Sequence, residues 1–222
     1  MSRLSILAVV LVLAACAPAA KKAEETPGEI KPVAAAIPAG DYRLDPSHAS
    51  LVFRVDHIGF SNYTARFTGV TAALALDPAA PETARLEASV DAASLALDNP
   101  PPGFTDLVLG PEWLDAASYP EISFRSTAIE LTAPDTARVT GELTLHGATK
   151  PVSFIARFNG GYAGMEDLDP QARIGFSAYG SFRRSDFGIS AGLPPPGSTM
   201  GVGDEVSFMI EAEFLGPPLA AP

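Results

Sequence analysis

From residue 40 onward, apolar and polar side chains alternate along the chain with a period of two. Ala49, Leu51, Phe53, Val55 and His57 share one phase, with Ser50, Arg54 and Asp56 opposite and Val52 the exception. Ile122, Phe124, Ser126 and Ala128 alternate with Glu121, Ser123, Arg125 and Thr127, and Ala137, Val139, Gly141, Leu143 and Leu145 with Arg138, Thr140, Glu142, Thr144 and His146. The same rhythm runs through Val152–Phe158, Ala172–Arg183 and Glu205–Phe214. Successive side chains of a strand point to opposite faces, so each run predicts a half-buried antiparallel strand. Shorter runs at 41–44, 64–76 and 84–92 complete the set, and turn signals separate them at Asp77-Pro78, Ala133-Pro134-Asp135, His146-Gly147 and Asn159-Gly160-Gly161. Several runs exceed the usual strand length of about five or six residues. Long alternating strands in one domain, residues 40–216, predict an all-β fold: a closed antiparallel barrel of about eight strands.

Two stretches interrupt the alternation. In residues 99–118, Pro100 to Pro102 stop the preceding strand, and Phe104, Leu107, Val108, Trp113 and Leu114 follow with helical spacing. This predicts a short helical insertion, carrying the only tryptophan, that caps one barrel end. Residues 190–203 contain Pro194-Pro195-Pro196 and several glycines and predict a long, mobile loop at a rim. Small residues stand among the large ones on the expected inward faces: Gly69, Ala73 and Ala75 beside Phe67, and Ala178 and Gly180 between Phe176 and Phe182. Two readings stand side by side: an apolar ligand cavity, or a solid core with glycines at bends and bulges.

Composition narrows the class. The formal charge of −11 argues against nucleic-acid binding, which needs a basic surface to neutralise phosphates, and 47% hydrophobic residues argue against intrinsic disorder. The single cysteine excludes an intramolecular disulfide framework and any multi-cysteine metal site. Residues 1–15 carry Arg3 and then an apolar run from Leu4 to Leu13 broken only by Ser5. A bilayer span needs about 20 apolar residues, so this run fits a cleaved signal peptide instead. Leu13-Ala14-Ala15-Cys16 resembles the bacterial lipobox, which implies lipidation of Cys16 and attachment of the mature chain to a membrane. Ala17, in place of an aspartate after the cysteine, points to the outer membrane. An ordinary secretory peptide or a buried free thiol are the alternatives. Residues 16–39, rich in alanine and proline, read as a disordered tether and 217–222 as a disordered tail. Loss of Arg3 with the signal takes the charge from −11 to −12.

Candidate reactive groups are sparse. His48 and His57 lie on one run, roughly 30 Å apart at about 3.3 Å per residue, too far to share a metal. His146 sits at a turn. Asp56 and His57 are adjacent and so face opposite ways. No nucleophile elbow, zinc-helix motif or phosphate loop occurs. We therefore expect neither enzyme activity nor a metal or cofactor. His57, inward by parity, is either a head-group contact or a satisfied core histidine. Arg184, within Arg183-Arg184-Ser185-Asp186, is either a solvated strand end or part of an anion-binding rim. Asn62-Tyr63-Thr64 matches a glycosylation acceptor, incidental behind a bacterial-type N-terminus.

Five segments, in order, resemble the YceI-like family of periplasmic lipid-binding proteins: Tyr42-Arg43-Leu44-Asp45-Pro46-Ser47-His48, Phe53-Arg54-Val55-Asp56-His57-Ile58-Gly59, Trp113-Leu114-Asp115 followed by Tyr119-Pro120-Glu121-Ile122-Ser123-Phe124, Gly141 to Val152, and Arg184-Ser185-Asp186-Phe187-Gly188. The resemblance implies an extended lipocalin-like barrel. Its apolar channel would take a polyisoprenoid such as a polyprenyl phosphate or ubiquinone, for transport, storage or sequestration without catalysis. It also implies pairing as a homodimer. On that basis Phe53, Val55, Phe67, Phe124, Phe176, Phe182 and Phe208 are expected to line the channel. Phe104, Leu107 and Trp113 are expected to close one end, and His57 and Arg184 to meet a head group. Ala49 and Trp113 depart from the family pattern, as do the 101–111 insertion and the 194–196 prolines, which bears on chain length and rim contacts. The alternative function is a stress-linked structural or interaction module with its barrel filled by side chains.

Overall fold

The computed structural model describes residues 37–219. The expected signal peptide, Cys16 and nearly all of the tether lie outside the described residues. Ten strands form one antiparallel sheet: β1 (Gly40–His57), β2 (Ser61–Phe67), β3 (Val70–Leu76), β4 (Arg85–Asp91), β5 (Leu95–Leu97), β6 (Glu121–Ala133), β7 (Thr136–Leu145), β8 (Ala148–Tyr162), β9 (Gln171–Arg183) and β10 (Val202–Pro218). The single α-helix among the described residues, α1 (Phe104–Leu109), falls in the interruption between β5 and β6. β1 closes the sheet into a barrel by pairing with β10 along one edge and with β2 and then β3 along the other. Because β2 and β3 run end to end, the ring has eight staves, with β5 added beside β2. β10 continues to Pro218, beyond the expected end of the barrel.

Three irregularities reset which residues face inward. The run expected at 64–76 begins at Ser61 and is cut at Thr68-Gly69, where Thr68 N–H donates to Ser94 O at 3.2 Å and Asp91 N–H to Gly69 O at 2.8 Å. The cut shifts the phase by one residue. Phe67, Val70, Ala72 and Leu74 therefore line the interior, and the expected inward set of Gly69, Ala73 and Ala75 is displaced from it. In β6 the register slips between Ser126 and Ala128, leaving Thr127 as an extra residue; Ile129 and Leu131 turn inward in place of Ala128, which is exposed.

The third irregularity merges the expected 41–44 and 49–57 runs into one 18-residue strand. Leu44 pairs with Phe214 but Ala49 with Ala212, so Asp45 to His48 bulge outward over β9 and β10. Arg173 Nη1 bridges Asp45 Oδ2 at 2.8 Å and Glu213 Oε2 at 2.7 Å, while its Nε reaches Asp169 Oδ2 at 3.1 Å. His48 Nδ1 lies 2.9 Å from Asp45 Oδ2, and Ser47 N–H donates to Oδ1 at 3.0 Å. Asp45, His48 and Glu213 could surround a cation, but the Arg173 guanidinium already holds both carboxylates.

Arg173 first, then His48 and the Ser47 N–H, hold the Asp45 carboxyl down at about 2. Its folded-state pKa thus lies below the ordinary value of about 3.9. The stabilisation is fully present above that ordinary value and is lost as pH falls through about 2. We expect Asp45→Asn to lower stability at neutral pH by on the order of 2 kcal/mol and to flatten the stability profile between about pH 4 and pH 2. Denaturant melts across that range check both effects.

Tyr42, Leu74, Ile174 and Phe214 fill the barrel at the end where the chain enters. Tyr42 is fully buried and donates its hydroxyl to Pro38 O at 2.6 Å. A side chain at Gly216 would overlap the Tyr42 ring. At the opposite end, two clusters gather around Phe67 with Leu95 and around Leu145, Val152, Phe187 and Ile189. The His146-Gly147 turn there has φ of 52° and 75°, the left-handed pair that a two-residue hairpin between β7 and β8 requires.

Candidate functional site

Between these plugs the barrel is hollow. The cavity measures about 670 Å³, within the range of sites that enclose small organic ligands. Inward residues of every stave contribute, because each strand alternates and the barrel has no free edge to interrupt the wall. Phe124, Phe154 and Phe208 form one aromatic chain, with ring centroids 5.3 and 6.0 Å apart, and Phe158, Phe176 and Phe214 another at 5.5 and 6.1 Å. Phe53 stacks on Phe67 at 5.4 Å. Gly180 does not leave room for a ligand: a Cβ there would lie 2.7 Å from Phe154 Cβ and 2.8 Å from the Phe208 ring, so the glycine makes space for these phenyls. Gly141 does the same for Phe124. Ala178, Ala156 and Ala72 do open onto the cavity.

One end is covered by α1 and by the segments at 113–119 and 184–203. Phe104 meets Tyr63 edge-on at 6.0 Å, and Val108 and Leu109 pack on the cluster around Phe67. Arg184 is buried beneath this cover and lies 5.1 Å from the centre of the Trp113 ring. Its Nε donates to Gly203 O at 2.8 Å, Nη1 to Ile189 O at 3.1 Å and Ala191 O at 2.8 Å, and Nη2 to Val202 O at 2.8 Å. Four of its five N–H groups are thus spent on backbone carbonyls. Desolvation pulls its pKa below the ordinary arginine value, with Asp204 opposing. Asp204 also accepts from the Ser185 N–H and hydroxyl at 3.0 and 2.9 Å. The 190–203 segment, expected as a mobile rim, is tied to the barrel through this arginine.

A YceI-like domain profile matches residues 42–214, nearly the whole barrel. The chain belongs to the YceI-like family. It is 35% identical over 174 residues to a UPF0312 protein of Pseudomonas savastanoi, covering 77% of this chain and 85% of the relative. It is 36% identical over 165 residues to one of Pseudomonas putida, covering 72% and 80%. Among solved structures, BcnA of Burkholderia cenocepacia superposes with a TM-score of 0.62 at 23% identity over 77% of this chain and 98% of its own. A polyisoprenoid binding domain from Saccharophagus degradans superposes with a TM-score of 0.58 at 14% identity over 79% and 98%. These two likenesses concern the fold.

In this YceI-like barrel, Phe53, Val55, Phe67, Phe104, Trp113, Phe124, Phe176, Phe182 and Phe208 stand on the cavity wall. Leu107 does not: it is 51% exposed on the outer side of α1, and Val108 takes the inward place beside Phe104. His57 reaches the wall only at the exposed end of β1 and is not a core histidine. Arg184 reaches the wall with its guanidinium already committed to four carbonyls. The three histidines stay apart. His48 is in the outer bulge, His57 at the rim, and His146 at the β7–β8 turn, with Nδ1 3.2 Å from Phe187 O. Tyr63 was missed. It stands on the wall two residues before Ala65 in the same phase, and its hydroxyl is the one buried side-chain polar atom among the described residues without a hydrogen-bond partner. The alternation extends back to Tyr63, one residue before the expected start of that run at 64.

Proposed function

We propose that the barrel binds a polyisoprenoid or a related apolar lipid and carries, stores or sequesters it in the periplasm without catalysis. On this reading the mature chain is held at the outer membrane through lipidated Cys16. The observation that carries the proposal is the cavity of about 670 Å³ with an almost wholly apolar, phenylalanine-rich wall. Burying an apolar carbon group is worth about 0.8 kcal/mol, so each five-carbon isoprene unit moved from water into such a wall gains about 4 kcal/mol. Branched, unsaturated chains suit phenyl faces and methyl-sized gaps. The Saccharophagus degradans polyisoprenoid binding domain, with the same fold, supports the ligand class. The hollow interior favours this reading over a barrel filled by side chains.

Native mass spectrometry of the mature chain, purified without detergent and incubated with polyisoprenoids, tests the proposal. A one-to-one adduct whose extracted lipid is an isoprenoid is the expected result. Protein that stays empty would overturn it.

A further inference from the structure

We propose that the head of the bound chain is neutral: a carbonyl or hydroxyl oxygen that pairs with the Tyr63 hydroxyl inside the barrel, in preference to a phosphate. The inference rests on the proposed isoprenoid-type ligand and narrows it. Three observations combine. First, Tyr63 lines the cavity, and its hydroxyl, tucked behind the wall of the barrel, has no partner among the described residues; a small turn of the side chain would present it to a ligand. A buried hydroxyl left unpaired costs free energy, which a ligand oxygen in reach recovers. A phenol can donate to a carbonyl or accept from an alcohol.

Second, Tyr63 sits beneath α1 against Phe104 and within the apolar cluster that includes Phe53, Leu97 and Val108. An anion brought there would lose its hydration and find no counter-charge.

Third, the wall supplies no free cation in its interior. Its ionisable side chains other than Tyr63 are Arg184, His57 and Asp135. Arg184 spends its donors on backbone carbonyls, and His57 is exposed at the rim. Asp135 accepts from Thr136 Oγ1 at 2.8 Å and from Arg157 Nε at 3.3 Å. Its carboxyl is held below its ordinary pKa, first by Thr136, and it is already paired with Arg157, so the turn between β6 and β7 offers a phosphate no free cation either.

The test compares four probes of equal tail length on the mature chain: geranylgeraniol, a benzoquinone bearing the same tail, geranylgeranyl phosphate, and the headless hydrocarbon phytane. Trp113 on the cavity wall provides a fluorescence readout. The alcohol or the quinone is expected to bind at least tenfold more tightly than the phosphate. Tyr63→Phe is expected to weaken that ligand about fivefold, the size of one net hydrogen bond, and to leave phytane unchanged. Without ligand the variant should melt no lower than the native chain, since it loses an unpaired hydroxyl.

Phosphate binding as tight as the alcohol and the quinone would overturn the inference. So would unchanged alcohol and quinone affinities in Tyr63→Phe, or an equal loss for phytane. In those cases phytane binding still supports the isoprenoid reading, whereas four probes that all fail to bind overturn both. The comparison of alcohol, quinone and phosphate on the native chain decides the charge of the head without the variant, and the variant decides the Tyr63 contact.

Discussion

Ala178→Trp will reduce isoprenoid affinity at least a hundredfold, with a change of only a few degrees in Tm. Ala178 stands on the cavity wall in a rung with Ala156 on β8 and Ile210 on β10. An indole at this point enters the space that the ligand would fill. A hundredfold loss corresponds to about 2.7 kcal/mol, less than the burial of one isoprene unit at about 0.8 kcal/mol per carbon group. Ordinarily a small-to-large change in a filled core costs about 1–3 kcal/mol, but here the ring has a hollow to occupy. Ala73→Trp is the control. The simple alternation puts Ala73 inward, whereas the break at Thr68-Gly69 leaves it exposed, paired with Arg43 and Glu87. It should leave affinity unchanged. Titration of both variants by Trp fluorescence and calorimetry checks the pair, and a block by Ala73→Trp alone would reverse the assigned phase of β3.

Arg184→Met is expected to cost about 3–5 kcal/mol of stability. It removes the donors that satisfy the carbonyls of Ile189, Ala191, Val202 and Gly203 in one step, and each buried acceptor left bare costs about 1–3 kcal/mol before relaxation and entry of water. It also removes the cation over Trp113. Arg184→Lys should recover little, because an ammonium directs its three donors from a single nitrogen while the guanidinium reaches four carbonyls in a planar fork. Hydrogen exchange should quicken across residues 184–203 in both variants, and denaturant melts give the magnitude. A variant of unchanged stability that loses only affinity for anionic isoprenoids would instead assign Arg184 to the head group.

Much of the barrel was readable along the chain because alternation is a local property. Val152–Phe158 and Glu205–Phe214 keep one phase throughout, and their inward residues follow from neighbours two positions away. The same rule failed at Ala128, Ala73 and Ala75. An extra residue in β6 and a cut between β2 and β3 are specified by partners elsewhere in the chain, Thr140 on β7 and Ser94 in the turn before β5 among them. Tyr63 and Leu107 depart from the expected pattern for smaller reasons: β2 extends N-terminal to the apolar run at 64–76, and a six-residue helix is too short to show which side it presents. Gly180 shows a different limit. A glycine on an inward face reads equally as space for a ligand or space for a neighbour, and only the Phe154 and Phe208 rings decide between them.

By itself the sequence determined an all-β closed barrel with a capped end, an interior rich in phenylalanine, and a family membership carried by five ordered segments. Each of these rests on short-range spacing or on residue identity. The tertiary structure alone decided that the barrel is hollow between two plugs, that Arg184 fastens the 190–203 segment instead of waiting for an anion, and that the Tyr63 hydroxyl stands without a partner. Cavity volume, donor commitment and an unpaired hydroxyl are sums over groups brought together from distant parts of the chain, so no local pattern contains them.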